Sequence, residues 1–155
     1  MKKILTVFLI VAVFMPLIAC HKENDEDKIK KVITDIQAAG EKKDVRAIMN
    51  NLSKNYSDPR GFNHEGIRRL LVGYFFRYPK ISVYINNITI TVENNEAKSV
   101  LQAVLTSGDK TGSAADMIPQ SLGVWEFDVT LKKESNDWKV ISAAWKEAEF
   151  LKPEK

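Results

Sequence analysis

Hydrophobic periodicity changes once along this chain, at Pro79, and that change fixes the class of fold. Before Pro79 apolar residues recur at helical spacing; after it they alternate. A helix repeats about every 3.6 residues and a half-buried strand every 2, so one pattern cannot serve as the other. Helices come first and strands second, which is the order of an α+β domain.

The helical half divides into three. Residues 25–39 place Ile29, Val32, Ile33, Ile36 and Ala39 on one face. Asp25, Glu26 and Asp27 lie in the first turn, where the helix dipole favours acids. Gly40 is expected to end this helix as its C′ residue. Asp44 caps a short second helix whose apolar face is Val45, Ile48, Met49 and Leu52. Residues 55–61 form a loop, because Pro59 disfavours helix at Asp58 and Gly61 permits a turn. Asn63 caps a third helix to about Arg77, with Ile67, Leu70, Leu71, Tyr74 and Phe75 buried and Val72 and Phe76 alongside.

The strand half holds four segments. Ile81, Val83 and Ile85 alternate with polar neighbours, and alternation resumes at Ile88, Ile90 and Val92 with its phase shifted by one. Asn86-Asn87 therefore marks a bulge or bend in one long strand. Residues 93–96 turn the chain into a second strand over 97–106. The stretch 107–120 is long, with Gly108, Gly112 and Pro119, and is expected to be a mobile loop. Residues 122–133 form a third strand, with Trp125, Phe127, Val129 and Leu131 on one face. Glu126, Asp128, Thr130 and Lys132 share the other. A turn at 134–137 leads into the fourth strand, from Trp138 to about Ala148.

Composition narrows the function. The chain has 155 residues and a net charge of +3, with basic residues scattered among acids. That balance excludes the clustered basic face a nucleic-acid binder needs. Cys20 is the only cysteine, so no intramolecular disulfide forms. Lys2 and Lys3 precede an uncharged run from Ile4 to Ala19, the layout of a secretory signal. This run is short of the roughly 20 apolar residues that span a bilayer. Leu17-Ile18-Ala19-Cys20 resembles the lipobox of bacterial lipoproteins. The resemblance implies cleavage before Cys20, thioether lipidation of Cys20 and attachment to the membrane, with the domain facing the periplasm at the cell envelope. His21, in place of an Asp, favours outer-membrane sorting under the rule of enteric-type bacteria. The expected organisation is a signal peptide over 1–19, a polar tether over 20–27, one domain over 28–150 and a tail over 151–155.

Three helices followed by four long antiparallel strands, the first bent, resemble the nuclear transport factor 2-like (NTF2-like, SnoaL-like) superfamily. The local carriers are the helix–helix junction at 40–49, the exit into a loop at 52–58 and the closing strand Asn136-Asp137-Trp138-Lys139-Val140-Ile141. The alternative is a cystatin-like arrangement of one helix on a sheet. The resemblance implies a cone-shaped α+β fold, with three N-terminal helices packed on a curved four-stranded antiparallel sheet around an apolar pocket. Ketosteroid isomerases, scytalone dehydratase and polyketide cyclases share that fold with many non-catalytic domains, so function must come from residues near the pocket mouth.

Tyr56, His64, Tyr74 and Trp125 are the candidate pocket-lining residues. An acid–base site would draw on Tyr56 and Asp116, with Asp58 or His64 as base. Asp58 is most simply a turn residue, His64 an exposed first-turn residue and Asp116 a solvated loop residue. No catalytic residue is assigned, and no metal or cofactor is expected, since His21 and His64 do not make a zinc site. The expected function is non-catalytic binding of a small apolar ligand or an envelope protein. The alternatives are a small isomerase, dehydratase or cyclase, and a structural part of an envelope complex. Tyr84, Val100 and Val104 offer an outward sheet face for a homodimer.

Overall fold

A computed structural model describes residues 24–107 and 120–148. Three helices, α1 (Asp25–Glu41), α2 (Val45–Asn50) and α3 (His64–Arg77), precede four strands. These are β1 (Ser82–Glu93), β2 (Glu96–Ser107), β3 (Gln120–Glu134) and β4 (Asp137–Glu147). The strands form one antiparallel meander in the order β1-β2-β3-β4. The expected α+β architecture is the one observed.

Local chemistry starts each helix. The Asn24 side chain accepts from Asp27 N, Asp44 from Ala47 N and Asn63 from Gly66 N, at 2.8, 2.9 and 2.9 Å. The end of α1 differs from expectation. The helix runs through Gly40, and the left-handed residue is Lys43, at φ 55°. Asp44 N donates to the Ala39 carbonyl and Lys43 N to the Gly40 carbonyl, which is a Schellman closure with Lys43 at C′. Asp44 both completes that closure and caps α2, so the left-handed residue must directly precede it.

The expected polar tether also ends earlier. Asn24 caps α1, and residues 25–27 are its first turn. Asp25 docks on the sheet, where its Oδ1 accepts from Lys133 Nζ at 2.8 Å and from the Trp138 indole N–H at 3.0 Å. Trp138 is buried, and a buried indole N–H needs an acceptor. Lys133 and Trp138 hold the Asp25 carboxyl below the usual carboxylate range.

Three irregularities curve the sheet. The expected one lies between Asn86 and Thr89 of β1, with Asn87 at φ 52°. Alternation did not reveal the other two, at Leu105/Thr106 and Thr130/Leu131. Each added residue increases local twist and bends its strand. Both two-residue hairpins take positive φ at their first loop residue, Asn94 at 54° and Ser135 at 58°, the sign such loops favour.

The core lies between α1, α2 and the concave sheet face, around Ile29, Leu52, Leu131, Trp138 and Val140. The chain leaving α2 runs along β4. Ser53 N donates to the Val140 carbonyl and Val140 N to the Asn51 carbonyl, so this part of the sheet edge is covered. Helix α3 departs from expectation. Ile67 is buried, but Leu70, Val72 and Phe76 are exposed, Phe76 at 91%. The helix stands off the sheet, and the space beneath it is a cavity.

Candidate functional site

The cavity measures about 430 Å³ and is walled by the helices, the loop after α2 and the sheet. Ile67, Leu70, Leu71 and Tyr74 of α3 face Leu105, Trp125, Phe127 and Val129 of the sheet across it. Small-molecule sites span roughly 300–1,000 Å³, so this one suits a modest ligand. A second chamber of about 240 Å³ shares Ile36, Leu71, Tyr74 and Phe127 with the first and continues toward Ile81, Val83 and Ile85. Among the described residues its one hydrogen-bonding side chain besides Tyr74 is Gln37, whose Nε2 donates to the Val83 carbonyl at 2.7 Å.

Strand and turn chemistry place the aromatic wall. Trp125 and Phe127 sit two apart on β3 and face inward together. Gly123 precedes them at φ +110°, and a Cβ there would come 3.1 Å from Trp125 Nε1. That backbone conformation is strained for a residue with a side chain, and its Cβ would also crowd the indole. Trp145 pairs with Phe127 in register and extends the wall onto β4.

The polar end is built by residues 56–62. Asp58 is buried, and its Oδ1 accepts from the Arg60 and Phe62 backbone N–H groups at 2.9 and 3.0 Å. Its Oδ2 accepts from the Tyr56 hydroxyl at 3.1 Å. Tyr56 is also buried, and its phenol is pushed up from the usual tyrosine range by burial first and then by the Asp58 charge. This carboxylate thus organises a loop as well as a turn. Arg60 completes the end: its guanidinium lies 4.4 Å from the Trp145 ring centroid, and Nη2 donates to the Trp145 carbonyl at 2.8 Å.

Of the expected lining residues, Tyr56, Tyr74 and Trp125 are in the wall. Burial also raises the Tyr74 phenol, with Tyr78 beside it adding to the shift. His64 is not in the wall. It opens α3, and its Nε2 is buried without a hydrogen-bond partner. Asp58 does not line the cavity either, although it meets Tyr56. Cys20 and Asp116 lie outside the described residues, as do positions 108–119 of the loop expected over 107–120. Sequence reasoning missed Arg60 and Trp145 as a pair. They stand 85 positions apart and meet only when β4 folds beside the loop. Tyr84 and Val100 are exposed on the outer sheet face, where Tyr84 pairs with Val104.

Among the described residues no group of three His, Cys, Asp or Glu side chains is placed to hold a metal ion. None of the described helices is long and apolar enough to cross a membrane.

No family model matches the chain. No curated protein matches it either. Solved structures do. A provisional dehydratase of the NTF2-like family from Streptomyces avermitilis superposes with a TM-score of 0.67 at 12% identity, over 80% of this chain and 96% of that one. An NTF2-like protein with a cystatin-like fold from Novosphingobium aromaticivorans gives 0.61 at 13% identity, over 94% and 88%. Bd1075 of Bdellovibrio bacteriovorus gives 0.64 at 14% identity, over 78% of this chain, which spans 40% of the length of Bd1075. At these identities the likeness establishes a shared fold.

Proposed function

We propose that this domain is a non-catalytic binding module that holds a small apolar ligand between α3 and the sheet, on a chain anchored to the cell envelope through lipid on Cys20. The observation that carries the reading is the cavity wall. It is aromatic and aliphatic on every element, and among the described residues Arg60 is its one charged side chain. Apolar chambers of this kind stay dry and take up apolar guests. The Asp58 carboxylate is occupied by the Tyr56 hydroxyl and by two loop amides, which suits a structural role. The lipobox and the short apolar run before it support the anchor.

One observation favours a second reading. A carboxylate buried against Tyr56 is what an isomerase, dehydratase or cyclase of this fold would require, and Asp58 is such a carboxylate. Under the enzyme reading, Asp58→Asn abolishes turnover. Under the binding reading, it leaves ligand affinity unchanged.

The deciding experiment is native mass spectrometry of the full-length protein extracted from its own envelope. The expected spectrum shows loss of residues 1–19, an acyl-bearing Cys20 and a retained molecule of low polarity. Leu71→Trp, which fills the shared wall of the two chambers, displaces that molecule. An empty chamber that takes up no apolar probe overturns the binding reading, and an unmodified Cys20 overturns the anchor.

A further inference from the structure

The polar end of the cavity carries information about the ligand. Among the described residues Arg60 is the one charged side chain in the main wall, and it is exposed at the rim. Its guanidinium is held in place by the Trp145 ring at 4.4 Å and the Trp145 carbonyl at 2.8 Å. A guanidinium has five N–H donors in a rigid fork. One is used on Trp145, and no described carboxylate pairs with the rest. Asp58, the nearest acid in sequence, accepts the backbone N–H of Arg60 and is occupied by the loop.

A fixed planar cation beside an apolar chamber is the receptor for an amphiphile. Resting on the binding reading above, the geometry points to a ligand with an apolar body and a single carboxylate head, the body in the chamber and the head on the Arg60 fork. Carboxylate fits that fork with two parallel N–H···O bonds. A phosphate monoester brings nearly two charges against one cation, so the single charge of a carboxylate is the closer match. A neutral head leaves the fork unmatched. Acyl acids and aromatic acids share the required chemistry. The second chamber, reached past Leu71 and Tyr74, favours an extended acyl body, whereas Trp125 and Trp145 favour a flat ring.

The test is calorimetric titration of the full-length protein with four probes: decanoate and decanol, naphthoate and naphthylmethanol. Each acid is compared with its neutral partner, and the two pairs distinguish acyl from aromatic ligands. Because Arg60 is exposed and screened by water, the preference for the acid is expected to be about twofold to fivefold. Arg60→Gln is expected to erase that preference, lowering affinity for the acid more than for the alcohol. Arg60→Lys retains part of it, because an ammonium pairs as a point charge. Equal affinity for acid and alcohol in the parent protein overturns the proposal. So does a preference that survives unaltered in both variants, or an Arg60→Gln loss that is equal for both probes. If alcohols bind and acids gain nothing, the apolar chamber stands and the head-group assignment falls. If no probe binds, the binding reading falls with it.

Discussion

Replacing Asp58 by alanine separates a structural carboxylate from a chemical one. The side chain accepts three hydrogen bonds, from the Tyr56 hydroxyl and the Arg60 and Phe62 amides, at 3.1, 2.9 and 3.0 Å. Bonds to a charged acceptor contribute about 1.5–3 kcal/mol each, but orphaned groups that reach water recover part of the loss. Arg60 is exposed and its amide can be rehydrated, whereas Tyr56 is 3% exposed and its hydroxyl is stranded. Asp58→Ala should therefore cost about 3–5 kcal/mol in total. At a urea m-value near ~1.5 kcal/mol per molar, the midpoint falls by about 2–3 M. Asp58→Asn keeps one oxygen for the two amides and should cost only about 1–2 kcal/mol. The assay is urea unfolding of the parent, Asp58→Ala, Tyr56→Phe and the double variant, read as a double-mutant cycle. The expected coupling between Tyr56 and Asp58 is about 1.5–3 kcal/mol. A cost below about 1 kcal/mol for Asp58→Ala, with negligible coupling, would refute the reasoning. The carboxylate would then be free for proton transfer.

Two further outcomes follow from local structure. Lys43 sits at φ 55°, a conformation that costs an L-residue roughly 1–2 kcal/mol and glycine almost nothing. Lys43→Gly should raise thermal stability by about 1 kcal/mol, and a loss of stability would mean the Schellman closure does not hold Lys43 there. Asp25 has its pKa lowered by Lys133 and Trp138 from an ordinary value of 3.8. A depressed carboxyl stabilises the fold above the ordinary value, and that contribution is lost as pH falls through the lower folded value. Asp25→Asn should thus be less stable than the parent at neutral pH and match it at acid well below 3.8. Denaturation curves whose separation does not change with pH would argue against the ion pair.

The elements and most of their boundaries were legible from local pattern alone, because they depend on neighbours in the chain. Asp44 and Asn63 cap their helices by bonding amides three residues on, and both were legible. So was the bulge at Asn86, since a phase shift in alternation needs no partner strand to be seen. Gly40 misled because glycine permits a C′ position without demanding one, and Asp44's double duty moved that position to Lys43. Tertiary structure alone decided the site. Periodicity tells which face of α3 turns inward, but not whether that face touches the sheet, and the cavity is that separation. It made Tyr56, Tyr74 and Trp125 a wall, left His64 outside it, and exposed Phe76. It also brought Arg60 to Trp145 and Asp25 to Trp138. Contacts of that kind join residues far apart in the chain, and no local pattern encodes them.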